Sequence, residues 1–301
     1  MLDFAGLDPN PELMALGRLL AEPGVTDLVC NGFRHVQLLR GGVWVGAPSP
    51  FSSPEQLDLA ARALVAAAGR RVDLSAPAVS VTLGERIRVH AVLASGIATQ
   101  TLLSIRVLAD RKFGLGALAQ IGMLDEQTRS RLSAAMKTGH SILVSGASGS
   151  GKTTMLRALL SEVADKRVVV IEDTAELRMS EPNFASLLSR PANIEGKGAI
   201  ELNDLVVESL RMRADRIVIG EVRSAELLAL LQAGASGHAI ATTIHARSPS
   251  DVIARINSIA LAQGHSLDAV RELVKVSVDL IVHIDVRAGR RSALILETNN
   301  A

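Results

Sequence analysis

The sequence predicts an α/β chain in two parts, a parallel-sheet domain built on a phosphate-binding loop and a smaller amino-terminal α+β domain. Three observations carry that prediction. Residues 141–160, SILVSGASGSGKTTMLRALL, join an apolar run (Ile142, Leu143, Val144) to GASGSGKT, which fills every position of GxxxxGK[ST], and then to Met155, Leu156, Leu159, Leu160 and Val163 at helical spacing. Beyond them, apolar runs of strand length alternate with helix-length segments, as in a parallel sheet covered on both faces. Ahead of them, short strand-like runs are interleaved with two helical segments.

The amino-terminal part reads in order. Residues 1 to about 22 hold one short helix, because Leu13, Leu16, Leu19 and Leu20 share a face. Strand-like runs follow from Val25 to Val45, broken by the turn signals Asn31-Gly32 and Gly41-Gly42. Ser53-Pro54 opens a helix with Leu57, Ala61, Leu64 and Ala68 on one side, stopped by Gly69. Two strands close the unit. In ERIRVHAV, alternation puts Ile87, Val89 and Ala91 on one face and Arg86, Arg88 and His90 on the other; in LLSIRVL it turns Leu103, Ile105 and Val107 inward and Arg106 outward. Paired, these strands carry arginines on a polar face, which reads equally as solvated charge or as an anion-binding surface. The boundaries are 1–108 for this domain, 109–116 (ADRKFGLG, polar and glycine-containing) for a linker, and 117–301 for the second domain.

In the second domain a helix near Asp125–Lys137 leads into the loop strand. Strands at Arg167–Ile171, Arg216–Ile219 and His238–Thr243 then alternate with helices near Glu201–Arg213 and Ser224–Gln232. Helices at Val252–Leu261 and Leu267–Val276 and a strand pair at Asp279–Asp285 and Ser292–Leu296 finish the chain.

The loop explains its own residue types. Gly146, Gly149 and Gly151 lack a Cβ, so the backbone can turn successive N–H groups inward around phosphates, and the helix start adds its partial positive charge. The predicted cradle is Gly146, Ala147, Ser148, Gly149, Ser150, Gly151, Lys152, Thr153 and Thr154, with Lys152 on the β- and γ-phosphates and Thr153 on Mg²⁺. The expected cofactors are therefore ATP/ADP and Mg²⁺. VVVIEDTAE ends an apolar strand with Glu172, Asp173 and Glu176, and RIVIGE ends another with Gly220 and Glu221. Glycine stands where a carboxylate commonly ends such a strand, so metal support falls to Thr153, Glu172, Asp173 and Glu221. Each acid alone could be a cap or a solvated charge; their joint placement at strand ends points to catalysis. GHAIATTIHA carries His238 and His245. His245 is placed to sense the γ-phosphate, and about 23 Å of extended strand between the two argues against a shared metal.

Composition removes several classes. Hydrophobic content of 48% over 301 residues is ample for two cores and excludes disorder. Aromatics are 2% with no Tyr, and residues 1–112 hold 11 basic and 10 acidic groups against 21 of each in the remainder, so no nucleic-acid partner is expected. Cys30 is the only cysteine and lies in a strand-like run, which makes it a buried thiol rather than a reactive one. No secretory signal and no run of about 18 apolar residues is found, so a soluble cytoplasmic protein is expected.

GASGSGKTT, VVVIEDTAEL, SLRMRADRIVIGEVRSAE and GHAIATTIHA, in this order, resemble the secretion ATPases that drive type II and type IV secretion, type IV pili and Tad pili. The flanking ELRMSEPNFASLLSRPANIEG and LRMRADRIVIGEVR look closest to the Tad/Flp pilus assembly branch, the CpaF/TadA-like ATPases. The likeness is strong from about Gly116 to Ile284 and weaker from Val25 to Val107; the histidine stretch departs from the Tad pattern in lacking Gly-Ser after its first histidine. The resemblance implies a RecA-like ATPase domain, a homo-hexameric ring, and nucleotide bound between the two domains. It also implies an inner-membrane platform protein as partner, met at the cytoplasmic face. By the same resemblance Glu176 activates water and Glu221 orders Mg²⁺ and its waters, with the reverse assignment open, while Arg88 and Arg106 reach the phosphates from the amino-terminal domain. The catalytic set is thus Glu176, Glu221, Arg88, Arg106, His245 and Lys152. Alternatives are a RecA-like nucleic-acid motor and a nucleotide switch without hydrolysis; an ABC-type ATPase is disfavoured because no LSGGQ-like segment occurs.

Overall fold

The computed structural model describes residues 10–84, 87–107, 114–190, 192, 197–287 and 289–298. The chain divides into two compact units, residues 1–111 and 112–301.

In the first unit, α1 (Pro11–Leu20) is capped by the Asn10 side chain and α2 (Pro54–Ala67) by Ser53, each with proline in the first turn. Among the described residues six strands form one antiparallel sheet: β1 (Val25–Asn31), β2 (Val36–Arg40), β3 (Val43–Ala47), β4 (Ala78–Leu83), β5 (Ile87–Val92) and β6 (Leu102–Val107), in the order β3-β2-β1-β6-β5-β4. Period-2 alternation sends Leu28, Cys30, Leu38, Val89, Ala91, Leu103 and Ile105 into one core with Leu13, Leu16, Leu57 and Leu64 of the helices. Cys30 is fully buried there, and burial pushes its thiol up to about 12. Strand β4 falls at AVSVTL, where no strand was expected from sequence although Val79, Val81 and Leu83 alternate with smaller residues. Arg86 lies outside the described residues.

The second unit opens with α3 (Leu115–Gln120), so the last two residues assigned to the linker are the first turn of a helix; residues 109–113 lie outside the described residues. Next come α4 (Glu126–Lys137), β7 (Ile142–Gly146), α5 (Lys152–Leu160) with a 3-10 turn through Val163, β8 (Val168–Glu172) and β9 (Phe184–Leu188). They are followed by α6 (Leu202–Ser209), β10 (Arg216–Val222), α7 (Glu226–Ala235), β11 (Ala239–His245), α8 (Pro249–Ala262), α9 (Leu267–Ser277), β12 (Leu280–Arg287) and β13 (Arg290–Glu297). Helix α6 is shorter than the periodicity predicted, and Arg213 beyond it takes a φ of 54°. Strand β9 was also not expected; its FASLL is an edge strand recognised only through its pairing with β8.

Among the described residues the sheet order is β13-β12-β7-β11-β10-β8-β9, parallel throughout except for the antiparallel β12–β13 hairpin. Alternation again sorts the side chains. Val144, Val168, Val170, Val218 and Ala241 pack against α3, α4 and α5, whereas Leu143, Val169, Ile171, Ile217 and Ile240 pack against α6 to α9. The strands are therefore apolar on both faces, and polar function is confined to their ends.

One buried cation ties the amino ends of these strands together. Arg216, 2% exposed, donates to the carbonyls of His140 (2.9 Å), Ile240 (3.1 Å) and Met136 (3.4 Å), and burial lowers its pKa to about 10 despite the charge of Asp279. Met136 lies in the last turn of α4, where its carbonyl also accepts from the Gly139 N–H at 3.3 Å, so the guanidinium joins that helix end to the segment entering β7 and to β11. Arg216→Met, similar in length but without donors, is expected to cost about 3 kcal/mol. A lower urea midpoint by far-UV circular dichroism is the check, and an unchanged midpoint would refute the role.

Candidate functional site

The shape of the loop follows from what cannot occupy it. Gly146 ends β7 with a φ of 153°, and a Cβ there would lie 2.6 Å from Ser150 Oγ and 2.8 Å from the carbonyl oxygen of Ile284. No side chain fits. Gly151, at a φ of 104°, caps α5 in a conformation that L side chains rarely adopt. A loop of this form before the unbonded N–H groups of a helix start is an anion cradle. Ala147, Ser148 and Gly149 are exposed on it, Ser150 is buried, and Thr153 and Thr154 are half-buried in the first turn of α5.

Lys152 is 7% exposed. Its Nζ donates to the carbonyls of Gly146 (3.1 Å) and Ala147 (2.9 Å) and lies 3.4 Å from His245 Nδ1. Burial lowers the lysine's pKa, and the charge of Glu221 opposes that shift. His245 is lowered as well, by desolvation first and by Lys152 second, so its imidazole is held toward the neutral form beside an ammonium. These groups meet because β7, β11, β10 and β8 are parallel neighbours, which sets the loop, His245, Glu221 and Glu172 side by side at one edge. His238 precedes β11, at the far end from His245.

Glu221 sits within β10 rather than past its end, at a register shift between Ile219 and Val222; Thr243 Oγ1 donates to the Gly220 carbonyl at 2.8 Å across the irregular step. Such a step re-aims a side chain. The guanidinium of Arg223 donates to Glu221 Oε2, through Nε at 2.7 Å and through a terminal nitrogen. That bond raises the arginine's pKa, and the charges of Asp173 and Glu176 add to it, so one cation serves three acids. Arg223 was not singled out from sequence, although it follows Glu221 by two residues.

Glu172 is 5% exposed, and its Oε1 accepts from the backbone N–H groups of Glu176 (3.1 Å) and Leu177 (3.0 Å). A Cβ at position 220 would stand 3.0 Å from its Cγ and Oε1. Glycine in place of the usual strand-end acid therefore makes room for the carboxylate of the neighbouring strand. Burial pushes Glu172 up to about 7 against the two backbone hydrogen bonds. Asp173 is exposed and accepts from Ser189 Oγ at 2.7 Å; Glu176 is half-buried.

Past His245 and Glu221 the edge opens into a cleft of about 540 Å³ whose wall includes Arg247, Asp251 and Arg255. Arg88 and Arg106 belong to the first unit. There they stand directly opposite each other across β5 and β6, and Arg106 Nε donates to Asp27 Oδ1 of β1 at 2.6 Å.

A glycine cradle at a helix start, on the carboxyl edge of a RecA-like parallel sheet with lysine, histidine and acids converging on it, defines a P-loop nucleotide-binding protein. The chain belongs to the family described as type II/IV secretion system protein, whose match spans residues 78–288. A putative conjugal transfer protein of Mycobacterium tuberculosis is 38% identical over 283 residues, covering 91% of this chain and 80% of the relative. The type IV secretion system protein VirB11 of Bartonella quintana is 27% identical over 316 residues, covering 90% and 87%. The fold is shared with the VirB11 ATPase of the Brucella suis type IV secretion system in complex with sulphate (TM-score 0.53, 24% identity, 96% of this chain and 94% of that one). It is also shared with the pilus retraction motor PilT with bound ADP (TM-score 0.67, 19% identity, 95% and 83%).

The buried carboxyl gives a pH prediction. With a folded pKa of about 7 against an ordinary 4.5, Glu172 holds a proton that the unfolded chain releases. Its contribution is complete below about pH 4.5 and is lost as pH rises through about 7. Glu172→Gln keeps the neutral shape at every pH, so its melting midpoint should gain on the parent's between pH 5 and pH 8. Parallel curves for the two proteins would show that Glu172 does not titrate in this range.

Proposed function

We propose that this chain is a Mg²⁺-dependent ATP hydrolase working in a homo-hexameric ring, the motor of a pilus assembly or secretion machine of the Tad/type II/type IV secretion kind. The observation that carries the reading is the meeting of Lys152, His245 and Glu221 at the glycine loop, from the adjacent ends of β7, β11 and β10.

The donor set fits Mg²⁺. Among the described residues no group of three or more His, Cys, Asp and Glu is arranged to hold a metal by itself. Mg²⁺ needs no such cage, because phosphates and waters supply most of its ligands beside one or two protein oxygens. Thr153 and Glu221 would hold it, with Asp173 at the margin, and when bound it neutralises charge on the phosphates. Glu172, engaged by two backbone N–H groups, is better suited to set the loop that carries Glu176. Lys152 binds the β- and γ-phosphate oxygens, Glu176 orients water and takes its proton, and neutral His245 contacts the γ-phosphate beside Lys152. Arg88 and Arg106 supply positive charge to the transferring phosphoryl group. Asp27 holds Arg106 in place.

Support for mechanical work comes from the relatives, named for conjugal transfer and type IV secretion. The Tad/Flp assignment rests on the flanking sequence stretches. The partner is an inner-membrane platform protein met at the cytoplasmic face. No helix among the described residues is long and apolar enough to cross a membrane.

Purified protein should release phosphate from ATP only with Mg²⁺, at a rate that rises faster than linearly with protein concentration as rings assemble. Lys152→Ala should abolish release, and Arg88→Ala or Arg106→Ala should lower kcat by ~10³–10⁵. Wild-type turnover in Lys152→Ala would overturn the proposal.

A further inference from the structure

The β12–β13 hairpin touches the phosphate loop at three successive places. His283 Nδ1 of β12 lies 2.9 Å from the hydroxyl of Ser145, the residue before the loop. The Ile284 carbonyl occupies the space that a Cβ of Gly146 would need. From β13, Arg291 Nε donates to the carbonyl of Ser150 at 3.1 Å, and a terminal nitrogen of the same guanidinium reaches the carbonyl of Gly149 at 3.4 Å. A backbone bond from Ala293 N–H to the Met123 carbonyl, at 3.0 Å, anchors β13 on its other side.

A trans peptide is planar, with its C=O and N–H pointing opposite ways. Holding the carbonyls of Gly149 and Ser150 from outside therefore orients the N–H groups of Ser150 and Gly151; the Ser150 N–H is directed at the Ala147 carbonyl, 3.3 Å away, which tightens the turn. The hairpin does not need Arg291 to form. It pairs over eight residue pairs from Leu280↔Glu297 to Arg287↔Arg290, and Arg291 itself is exposed.

We infer that Arg291 is a positioning residue of this site: its guanidinium grips the outer carbonyls of the loop and presets the cradle for a nucleoside diphosphate. The inference rests on the nucleotide-binding reading above and extends it to the last hairpin. The loop reaches its binding shape before ligand arrives, so less ordering remains to be done on binding.

The test uses the full chain and a fluorescent N-methylanthraniloyl ADP with Mg²⁺. Arg291→Ala should weaken binding about tenfold, the loss of hydrogen bonds from one charged group. Arg291→Lys, which keeps the charge without the fork, should fall between, and Arg290→Ala should match the parent. KM for ATP should rise by about the same factor while kcat stays within roughly twofold. In nucleotide-free Arg291→Ala, amide exchange across residues 147–151 should quicken while the melting midpoint holds. Unchanged ADP affinity with unchanged exchange overturns the inference and leaves the nucleotide reading standing. A weakened affinity matched by a general fall in melting midpoint also overturns it. A parent chain that binds no ADP overturns the nucleotide reading and this role with it.

Discussion

The closeness of Gly146 to Ser150 Oγ and the Ile284 carbonyl is the constraint on which the second unit depends. A strand that ends against its neighbour's backbone with no side chain must turn there, and the chain returns to start α5 only because Gly151 adopts a left-handed conformation. Lys152 is then carried inward, where the carbonyls of Gly146 and Ala147 take up its charge in a place with little water. The same geometry makes the site polar in its donors yet buried in its cation, a combination that strengthens whatever anion replaces those carbonyls.

Charge around the loop is organised as a chain of compensations. Lys152 is depressed by burial and supported by Glu221, Glu221 is held by Arg223, and Arg223 in turn feels Asp173 and Glu176. Glu172 stands apart. It is buried against Gly220 and spends its oxygen on the backbone of the segment that carries Glu176. Where a common strand-end acid would face the metal, this chain uses a glycine, and the space goes to a carboxyl that shapes a loop. Two acids on neighbouring strands thus sit in different environments, one desolvated and the other paired with an arginine at the surface.

The first unit shows the same division between a packed face and a polar one. One face of its sheet packs against α1 and α2, and the other carries Asp27, Arg88, His90 and Arg106. Register, not composition, sets Arg88 opposite Arg106. Like charges directly across an antiparallel pair repel, and the ion pair of Arg106 with Asp27 offsets that repulsion.

By itself the sequence determined the loop, the strand before it, the helix after it and most of the alternating elements, because each is written in local spacing: glycines where φ must be positive, apolar residues at period 2 or 3.6. It also marked Lys152 through the loop pattern, and Glu221 and His245 because residues at the ends of apolar strands in a parallel sheet share an edge. Strand β9 and the first turn of α3 were not legible, for FASLL and LG take their conformation from what they pair with or pack on. Arg223 and Arg291 were equally silent. An arginine's reach spans several residues of chain: Arg291 meets its partner only because the fold brings β13 beside the loop, and Arg223, paired locally with Glu221, feels Asp173 and Glu176 only because β10 lies beside β8. Only the tertiary structure could decide that the final hairpin holds the carbonyls of a loop more than a hundred residues earlier in the sequence, because hydrogen bonds between distant segments leave no local pattern.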